Sequence, residues 1–233
     1  MTQVHISLAA KLSNQIGLPH MQKKESYVEK VLEQILDDFE KGIIKSGERV
    51  NTSDLSRKIG ISRGPIREAL HILAGQGVIV LEKDRGAVLQ LLTKKTICDH
   101  WDVLDMILGL GFRLSSRYIQ KDNNYNIIKN LMDGIRNSTI QERSYHFFEP
   151  YNEYHYAINY LCGNQQINQF LYRSGIPFWN IFLVKYIDVQ KMKNQYHENY
   201  QNITDALLRG DGNSAAALFS YHVNWSKKLI NKL

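Results

Sequence analysis

Residues 60–77 of the chain, GISRGPIREALHILAGQG, carry the clearest helical signal in its first third. The apolar side chains follow the i, i+3, i+4, i+7 spacing of a helix with one buried face: Ile66, Ala69, Leu70 and Leu73. Ser62 can cap this helix, and Arg63 and Arg67 project from one side of its first turns. Gly64 keeps the entrance slim enough for a phosphate backbone to approach. The pattern predicts a recognition helix, although a surface helix that carries two arginines would look the same.

Two further helices are predicted before this one. Apolar residues with helical period span the segment 25–41, and they are Val28, Val31, Leu32, Ile35 and Phe39. Asn51 or Thr52 can cap a second, short helix. Leu55 and Ile59 point inward in that helix, and Gly60 ends it. A short helix, a turn with glycine and a second helix form the helix-turn-helix pattern, whose second helix enters the major groove.

The sequence period becomes extended after residue 77. Residues 78–81 and 87–91 are two apolar runs, and the charged segment EKDRG joins them. Gly86 is available for a positive φ in this turn. Lys83 and Arg85 at the tip can reach phosphates or an adjacent minor groove. We therefore predict a small β-hairpin wing behind the helix-turn-helix.

The composition is that of a globular protein, with 233 residues, 43% apolar residues and a formal charge of +6. Basic charge permits an acidic polymer as a partner without locating the contact. Residues 25–95 nevertheless hold 12 basic and 11 acidic side chains, so the two signs must be segregated. The acidic residues expected on a separate face are Glu29, Glu33, Asp37, Asp38 and Glu40.

The sequence has no cysteine framework, no membrane-spanning apolar run and no signal-peptide pattern. Its two cysteines, Cys98 and Cys162, predict neither a disulfide framework nor a zinc module. No apolar run approaches the roughly 20 residues that span a bilayer, and the N-terminus lacks a signal-peptide pattern. We therefore expect a cytoplasmic protein with no membrane partner. Residues 1–24 contain no acidic side chain and are expected to form a loosely ordered extension.

Residues 94–233 show helical periodicity and no strand-like alternation, which predicts an all-α antiparallel helical bundle. The predicted helices span residues 95–120, 124–136, 141–162, 165–173 and 178–189, and two more flank residues 209–212. Pro150 is expected to kink the third helix, and Gly109 with Gly111 is expected to allow a close helix crossing. The prediction is a mostly α protein with an extension (1–24), a winged helix-turn-helix domain (25–93) and a helical effector-binding and dimerisation domain (94–233).

Three segments closely resemble the winged-helix domain of GntR-type bacterial transcription regulators: GIIKSGERV (42–50), DLS (54–56) and ISRGPIREAL (61–70). The resemblance covers about residues 25–92 and implies binding to double-stranded DNA. It places operator contacts at Arg63 and Arg67 and a backbone contact at Gly86. Ser53 stands where some relatives carry a DNA-contacting arginine, so one base contact is lost. The predicted DNA-binding residues are Thr52, Ser53, Arg57, Ser62, Arg63, Gly64, Arg67, Lys83, Arg85 and Gly86.

The second half resembles the FCD effector domain of the FadR-like branch of the same superfamily. The residues that carry this resemblance include Tyr154-His155, Cys162-Gly163-Asn164 and ITDAL at 203–207. Many members of that branch hold a divalent metal between an aspartate and three histidines, and a small carboxylate completes the coordination. The corresponding positions in this chain are Tyr151, His155, Tyr200 and His222.

The metal set implied by the resemblance is incomplete in this chain. A phenol with a pKa near 10 is a poor ligand at neutral pH, and no carboxylate supplies negative charge. His155 and His222 alone would bind an ion weakly. A lost ligand could be replaced by His197, Asn152 or Glu153. We predict instead that the two histidines are buried and hydrogen-bonded to tyrosines, that no cofactor is required and that a divalent ion is disfavoured.

A second departure changes the expected effector. Relatives commonly place an arginine and a glutamate one turn apart on the first bundle helix, where this chain has Leu104 and Leu108. A carboxylate ligand would lose its cationic partner, so an apolar or aromatic effector is favoured. The predicted pocket consists of Leu104, Leu108, Tyr151, His155, Tyr200 and His222.

The resemblance therefore predicts a homodimeric transcription regulator, more often a repressor, that binds a palindromic operator and responds to a small molecule. Two alternatives stay open, namely a DNA-binding protein whose bundle only dimerises and an enzyme built on the bundle. No GxSxG, phosphate-binding glycine loop or HExxH motif supports the enzyme.

Overall fold

The computed structural model describes residues 27–138 and 147–231, and these fall into two compact units. The first unit contains the described residues up to Leu92 together with Arg173–Phe178, and the second contains Thr93–Tyr172 and the residues from Trp179 onward. The extension predicted for residues 1–24 lies outside the described residues. No helix within 27–138 or 147–231 is long and apolar enough to cross a membrane.

The first unit is a winged helix-turn-helix, as predicted. Its elements in chain order are α1 (Tyr27–Glu40), α2 (Thr52–Ile59), α3 (Arg63–Gly75), β1 (Ile79–Glu82) and β2 (Gly86–Leu89). The core consists of the apolar stripes that the sequence spacing indicated, including Val31, Ile35, Ile66, Ala69, Leu70 and Leu73. Asn51 caps α2, because its side chain accepts hydrogen bonds from the Ser53 and Asp54 N–H groups at 2.9 and 3.3 Å. Gly60 then ends α2 with a φ of 74°.

One of the five acidic residues expected on a face separate from the basic side chains is instead buried beside a lysine. Asp38 is 8% exposed, and it accepts hydrogen bonds from Lys58 of α2 at 2.6 Å and from Gln34 at 3.0 Å. The prediction for Asp38 is therefore wrong, and the physical reason is that a lysine of the next helix neutralises the carboxylate inside the domain.

The wing is an antiparallel hairpin in which Ile79 pairs with Leu89 and Glu82 pairs with Gly86. The strands differ by one or two residues at each end from the predicted runs 78–81 and 87–91. Gly86 has a φ of 73°, as expected at the start of β2. The chain before α2 joins the hairpin as well, because Arg49 forms a bridge with Val88. This extra pairing brings Arg49 beside the start of α2.

The remaining elements are all helices, which confirms the all-α prediction for this part of the chain. They are α4 (Lys94–Ser115, continued by a 3-10 turn at Ser116–Tyr118), α5 (Asn124–Arg136), α6 (Glu149–Leu161), α7 (Gln165–Arg173), α8 (Ile176–Tyr186), α9 (Val189–Leu208) and α10 (Gly212–Asn231). Helices α4 and α10 pack antiparallel, since Ser220 bonds Asp105 and Lys227 bonds Asp102. The close crossing expected at the α4 glycines occurs, because a Cβ at Gly111 would overlap the Asn159 carboxamide of α6.

Two helix predictions in this part were wrong. Pro150 does not kink a helix, because α6 begins at Glu149 and the proline lies in its first turn, where no N–H is needed. Residues 141–146 of that predicted helix lie outside the described residues. The predicted helix 178–189 is in fact α8, which ends at Tyr186, and a new helix, α9, starts at Val189. Asp188 caps α9 by accepting a hydrogen bond from the Lys191 N–H at 3.3 Å.

Candidate functional site

The first unit contains a cleft of about 420 Å³ at the start of the helix-turn-helix, and its lining is cationic and polar. The lining residues are Arg49, Asn51, Thr52, Ser53, Arg63 and Arg67. Four of them, all except Arg49 and Asn51, are among the predicted DNA-binding residues. Among the residues that the structure describes, three guanidinium groups and no carboxylate line the cleft, which is the charge pattern of an anion-binding surface.

Two helix N-termini meet this cleft. Thr52 and Ser53 lie in the first turn of α2, and Arg63 is the first residue of α3. Ser62 occupies the cap position of α3, but its side chain makes no capping hydrogen bond among the described residues. The N–H groups of the first α3 turn are therefore without a side-chain cap, and such N–H groups attract phosphate oxygens. Nothing lies within 4 Å of where a Cβ of Gly64 would be, so the space beside this turn is open to an approaching group.

Arg49 was missed by the sequence interpretation. It lies in the segment before α2, and it reaches the cleft because residues 47–50 pair with β2. Val50 donates its N–H to Ala87 at 2.8 Å, and Gly47 donates to Leu89 at 2.9 Å. In the sequence, Arg49 stands next to an apolar residue, Val50, within the segment GIIKSGERV (42–50) that carries the family resemblance. Long-range pairing of this kind leaves no periodicity in the sequence.

The other predicted cations do not line the cleft. Arg57 bonds Asp54 at 2.7 Å on the exposed side of α2. Arg85 of the wing bonds the Glu82 carboxylate at 3.1 Å and the Gly47 carbonyl at 3.1 Å. Lys83 is exposed at the wing tip, next to the turn that Gly86 closes. The predicted contacts thus divide into a cleft set and a wing set.

The second unit brings together four of the predicted pocket residues, which come from three helices. Tyr151 and His155 lie on α6, Tyr200 lies on α9, and His222 lies on α10. His155 Nε2 is 2.6 Å from the Tyr200 hydroxyl. The ring centroids of Tyr151 and Tyr200 are 4.6 Å apart, and those of Tyr200 and His222 are 5.0 Å apart. We call these four residues the aromatic cluster.

The remaining two predicted pocket residues, Leu104 and Leu108, are buried on α4. One turn beyond Leu108, Phe112 packs against Tyr154 and Phe219, with ring centroids 6.4 and 5.4 Å apart. The inner face of α4 is therefore apolar and aromatic in this region. It offers hydrocarbon surface to a ligand and no charged side chain from those three positions.

Burial keeps the aromatic cluster electrically neutral. It lowers the pKa of His155 to about 3. Burial, with a smaller contribution from His155, lowers the pKa of His222 to about 3 as well. Burial also raises the pKa of the Tyr200 phenol well above its ordinary value. Both imidazoles are therefore neutral and the phenol is protonated at physiological pH.

This set of groups does not fit the divalent metal that the FCD resemblance implies. Tyr200 already occupies Nε2 of His155, and His222 Nδ1 lies 3.1 Å from the Asn199 amide nitrogen. Within the described residues, no group of three His, Cys, Asp or Glu side chains could hold a metal. A protonated phenol is a poor ligand, and no negative charge offsets that of an ion.

Unpartnered polar atoms lie beside the cluster. His155 Nδ1 and both polar side-chain atoms of Asn159 are buried and make no hydrogen bond to any described residue. Asn159 follows His155 by one turn of α6, so the two side chains lie on the same helix face. Because buried polar groups normally have partners, these atoms mark a place where a ligand or water can bind.

Comparisons with known proteins agree with both units. Residues 27–89 match the family described as bacterial regulatory proteins, gntR family, and residues 121–224 match the FCD domain. An HTH-type transcriptional regulator of Mycobacterium tuberculosis is 32% identical over 93 residues, which cover 39% of this chain and 38% of that protein. The gluconate operon transcriptional repressor of Bacillus subtilis is 42% identical over 62 residues, 27% of this chain and 25% of that protein. The matched regions thus span less than half the length of either relative.

A solved structure extends the fold comparison to most of the chain. McbR/YncC of E. coli superposes with a TM-score of 0.69 at 16% identity, covering 89% of this chain and 98% of that one. The winged helix-turn-helix with its cationic cleft, followed by an all-helical unit, is the architecture of a winged-helix transcription regulator. The chain belongs to the GntR family, and its second half is an FCD domain.

Proposed function

We propose that the protein is a homodimeric repressor that binds a palindromic operator through the cleft and the wing and that responds to a neutral small molecule. Residues 25–93 serve DNA binding, and residues 94–233 serve effector binding and dimerisation, in the cytoplasm where the DNA lies. The observation that carries this proposal is the cleft at the helix-turn-helix, in which Arg49, Arg63 and Arg67 meet two helix N-termini. The repressor role is supported by the relative named for the gluconate operon.

The predicted DNA contacts divide by role. Arg63 and Arg67 of α3 are the base-reading residues, because the second helix of this motif enters the major groove. Thr52, Ser53, Ser62 and Gly64 contact phosphates near the two helix N-termini. Arg57, Lys83, Arg85 and Gly86 add backbone contacts at the rim and wing. Since Arg57 and Arg85 are already paired with carboxylates, their contribution is smaller than that of the cleft arginines.

The DNA proposal is tested with a duplex selected from a random-sequence library by the unmodified protein. In an anisotropy titration, Arg63→Ala and Arg67→Ala should each weaken binding by about 1 to 3 kcal/mol, the value of a bidentate base contact. Lys129→Ala on the exposed side of α5 is the matched control and should bind normally. Unchanged binding by both arginine variants would remove the base-reading assignment.

The effector proposal rests on the neutral aromatic cluster and its unpartnered polar atoms. If the Tyr200 phenol donates to His155 Nε2, the imidazole proton resides on Nδ1, which then needs an acceptor. Nearby, the Asn159 side chain offers two N–H donors on Nδ2 and one acceptor, Oδ1. We propose a ligand with an apolar or aromatic body and a carbonyl or amide group, without formal charge.

Thermal unfolding with a compound panel tests this proposal. Neutral aromatic amides or ketones should raise the melting temperature, whereas simple carboxylates and the divalent ions of zinc, nickel and manganese should not. His155→Gln should abolish the shift. No shift with any compound would favour the alternative in which the bundle only dimerises, and stoichiometric metal by elemental analysis would contradict the metal-free assignment.

A further inference from the structure

The outer face of α4 carries side chains spaced alternately by four and three residues, which is the spacing of a coiled-coil seam. The six residues of this row, called the α4 seam, are Asp99, Val103, Met106, Leu110, Arg113 and Arg117. All six are exposed, and the three apolar members are 51%, 77% and 42% exposed for Val103, Met106 and Leu110. The opposite face of the same helix is buried in the bundle. Arg117 lies in the 3-10 turn that continues the helix.

The α4 seam has a charge gradient along its length. It is acidic at its start, where Asp99 is flanked by Asp102, apolar in the middle, and basic at its end. Two lysines partly offset the acidic end, since the exposed Lys95 donates to Asp99 and the half-buried Lys227 donates to Asp102, each at 2.5 Å. At the basic end, the guanidinium groups of Arg113 and Arg117 form no hydrogen bond or ion pair with any residue in the ranges 27–138 and 147–231. Two cations are therefore available to a partner.

We propose that the α4 seam is a self-association surface on which α4 of a second copy of this chain packs antiparallel. This inference rests on the proposed homodimer and names its surface. In an antiparallel pair the charges match, because Asp99 lies opposite the partner's Arg117 and Leu110 lies opposite the partner's Met106. The same register sets Val103 against the stem of the partner's Arg113, whose guanidinium reaches toward Asp102.

Charge complementarity favours a second copy of α4 as the partner and an antiparallel orientation of the two helices. A parallel pair would place Asp99 against the partner's Asp99 and Arg117 against the partner's Arg117, and like charges in contact oppose association. A twofold axis between the copies generates each contact twice, so a short seam yields two equal ion pairs around one apolar centre. An antiparallel second copy of α4 is thus the partner that complements the charges and the apolar centre of the α4 seam.

A charge-swap cycle with the full chain tests the surface, with sedimentation velocity as the measurement of dimer dissociation. Asp99→Arg and Arg117→Asp should each raise the dissociation constant about tenfold, because each change converts two attractive contacts into repulsive ones. The double variant should return to within about threefold of the unmodified protein, since the reversed pairs match again. Lys129→Asp, which also replaces an exposed cation by an acid, is the control and should dimerise normally.

Met106→Glu tests the apolar centre, and circular dichroism confirms that each variant stays helical. A monomeric, helical Met106→Glu protein supports the surface. Dimers of normal affinity in Met106→Glu and in both single swaps would overturn the α4 seam while leaving the homodimeric regulator intact. Rescue that fails in the double variant would overturn the antiparallel direction. An unmodified protein that is monomeric while it binds one selected half-site would instead contradict the homodimer itself.

Discussion

Lys58 of α2 donates a hydrogen bond from Nζ to Oδ1 of Asp38 on α1 at a distance of 2.6 Å. The side chains are only 31% and 12% exposed, so the pair ties the two helices together away from bulk water. We expect Lys58→Met to lower the free energy of unfolding by about 1 to 3 kcal/mol, because Asp38 keeps its charge and loses its cation. Urea unfolding measures the change.

Arg57→Met is the matched control for this prediction. Arg57 is the neighbouring residue on α2, and its pair with Asp54 is 77% and 48% exposed. Exposed pairs of this kind contribute little, so stability should change by less than about 0.5 kcal/mol. Equal losses in the two variants would mean that burial does not distinguish the pairs.

The neutral histidines of the aromatic cluster predict acid sensitivity. Burial lowers the pKa of His155 and of His222 to about 3, whereas an unfolded histidine titrates near 6.5. The unfolded state therefore binds more protons below pH 6.5, so stability is full above that pH and is lost as the pH falls toward 3. As the pH falls from 7 to 5, each histidine should lower the free energy of unfolding by about 2 kcal/mol. Urea titrations at each pH give the slope.

Replacing the buried rings separates this effect from general acid denaturation. His155→Gln or His222→Gln should make the pH dependence shallower, because glutamine does not bind a proton in this range. His71→Asn is the control, since that side chain is exposed on α3, and it should keep the original slope. A slope that is the same in all four proteins would show that neither buried ring contributes to it.

The crossing of α4 and α10 predicts opposite signs for two glycine substitutions. A Cβ at Gly212 would lie 2.7 Å from the Phe112 carbonyl oxygen and 2.8 Å from the Arg113 Cα, both backbone atoms that cannot turn aside. Gly212→Ala should therefore destabilise the protein by about 1 to 3 kcal/mol. Gly134→Ala in α5 meets nothing within 4 Å and should stabilise by roughly 0.5 to 1 kcal/mol. Thermal melting would contradict this packing if both variants shifted in one direction.

The buried face of a helix and the partner of a buried polar residue depend on different physical causes. The helical spacing of apolar residues correctly predicted the buried face of α3, because Ile66 and Leu73 on that stripe are both buried. The same rule also places Asp38 on that face, three residues after Ile35, but its partner Lys58 lies 20 positions away and no local pattern announces the pair. The spacing of apolar residues therefore predicts which face of a helix is buried, but it does not predict the partner of a polar residue on that face.

Boundaries inside apolar runs were equally difficult to predict. The end of α8 and the start of α9 lie in a nearly continuous apolar segment, and only the capping role of Asp188 separates them. In contrast, the aromatic cluster was found from the family resemblance, since residues from 151 to 222 meet through helix packing alone. The state of that cluster, with neutral rings and unpartnered atoms, follows from burial and could not be obtained from spacing.

Arg49 provides the final prediction, because it lines the cleft and was not expected there. Arg49→Met should weaken DNA binding to a similar degree for different duplexes, since a residue outside the recognition helix contacts phosphate and not base edges. The slope of log affinity against log salt should become shallower by about 1, which corresponds to one released counterion. Arg57→Met, which removes a guanidinium that is already bonded to Asp54 at 2.7 Å, should change the slope less. Anisotropy titrations at several salt concentrations decide between them, and a larger effect at Arg57 than at Arg49 would move the phosphate contact out of the cleft and onto the exposed side of α2.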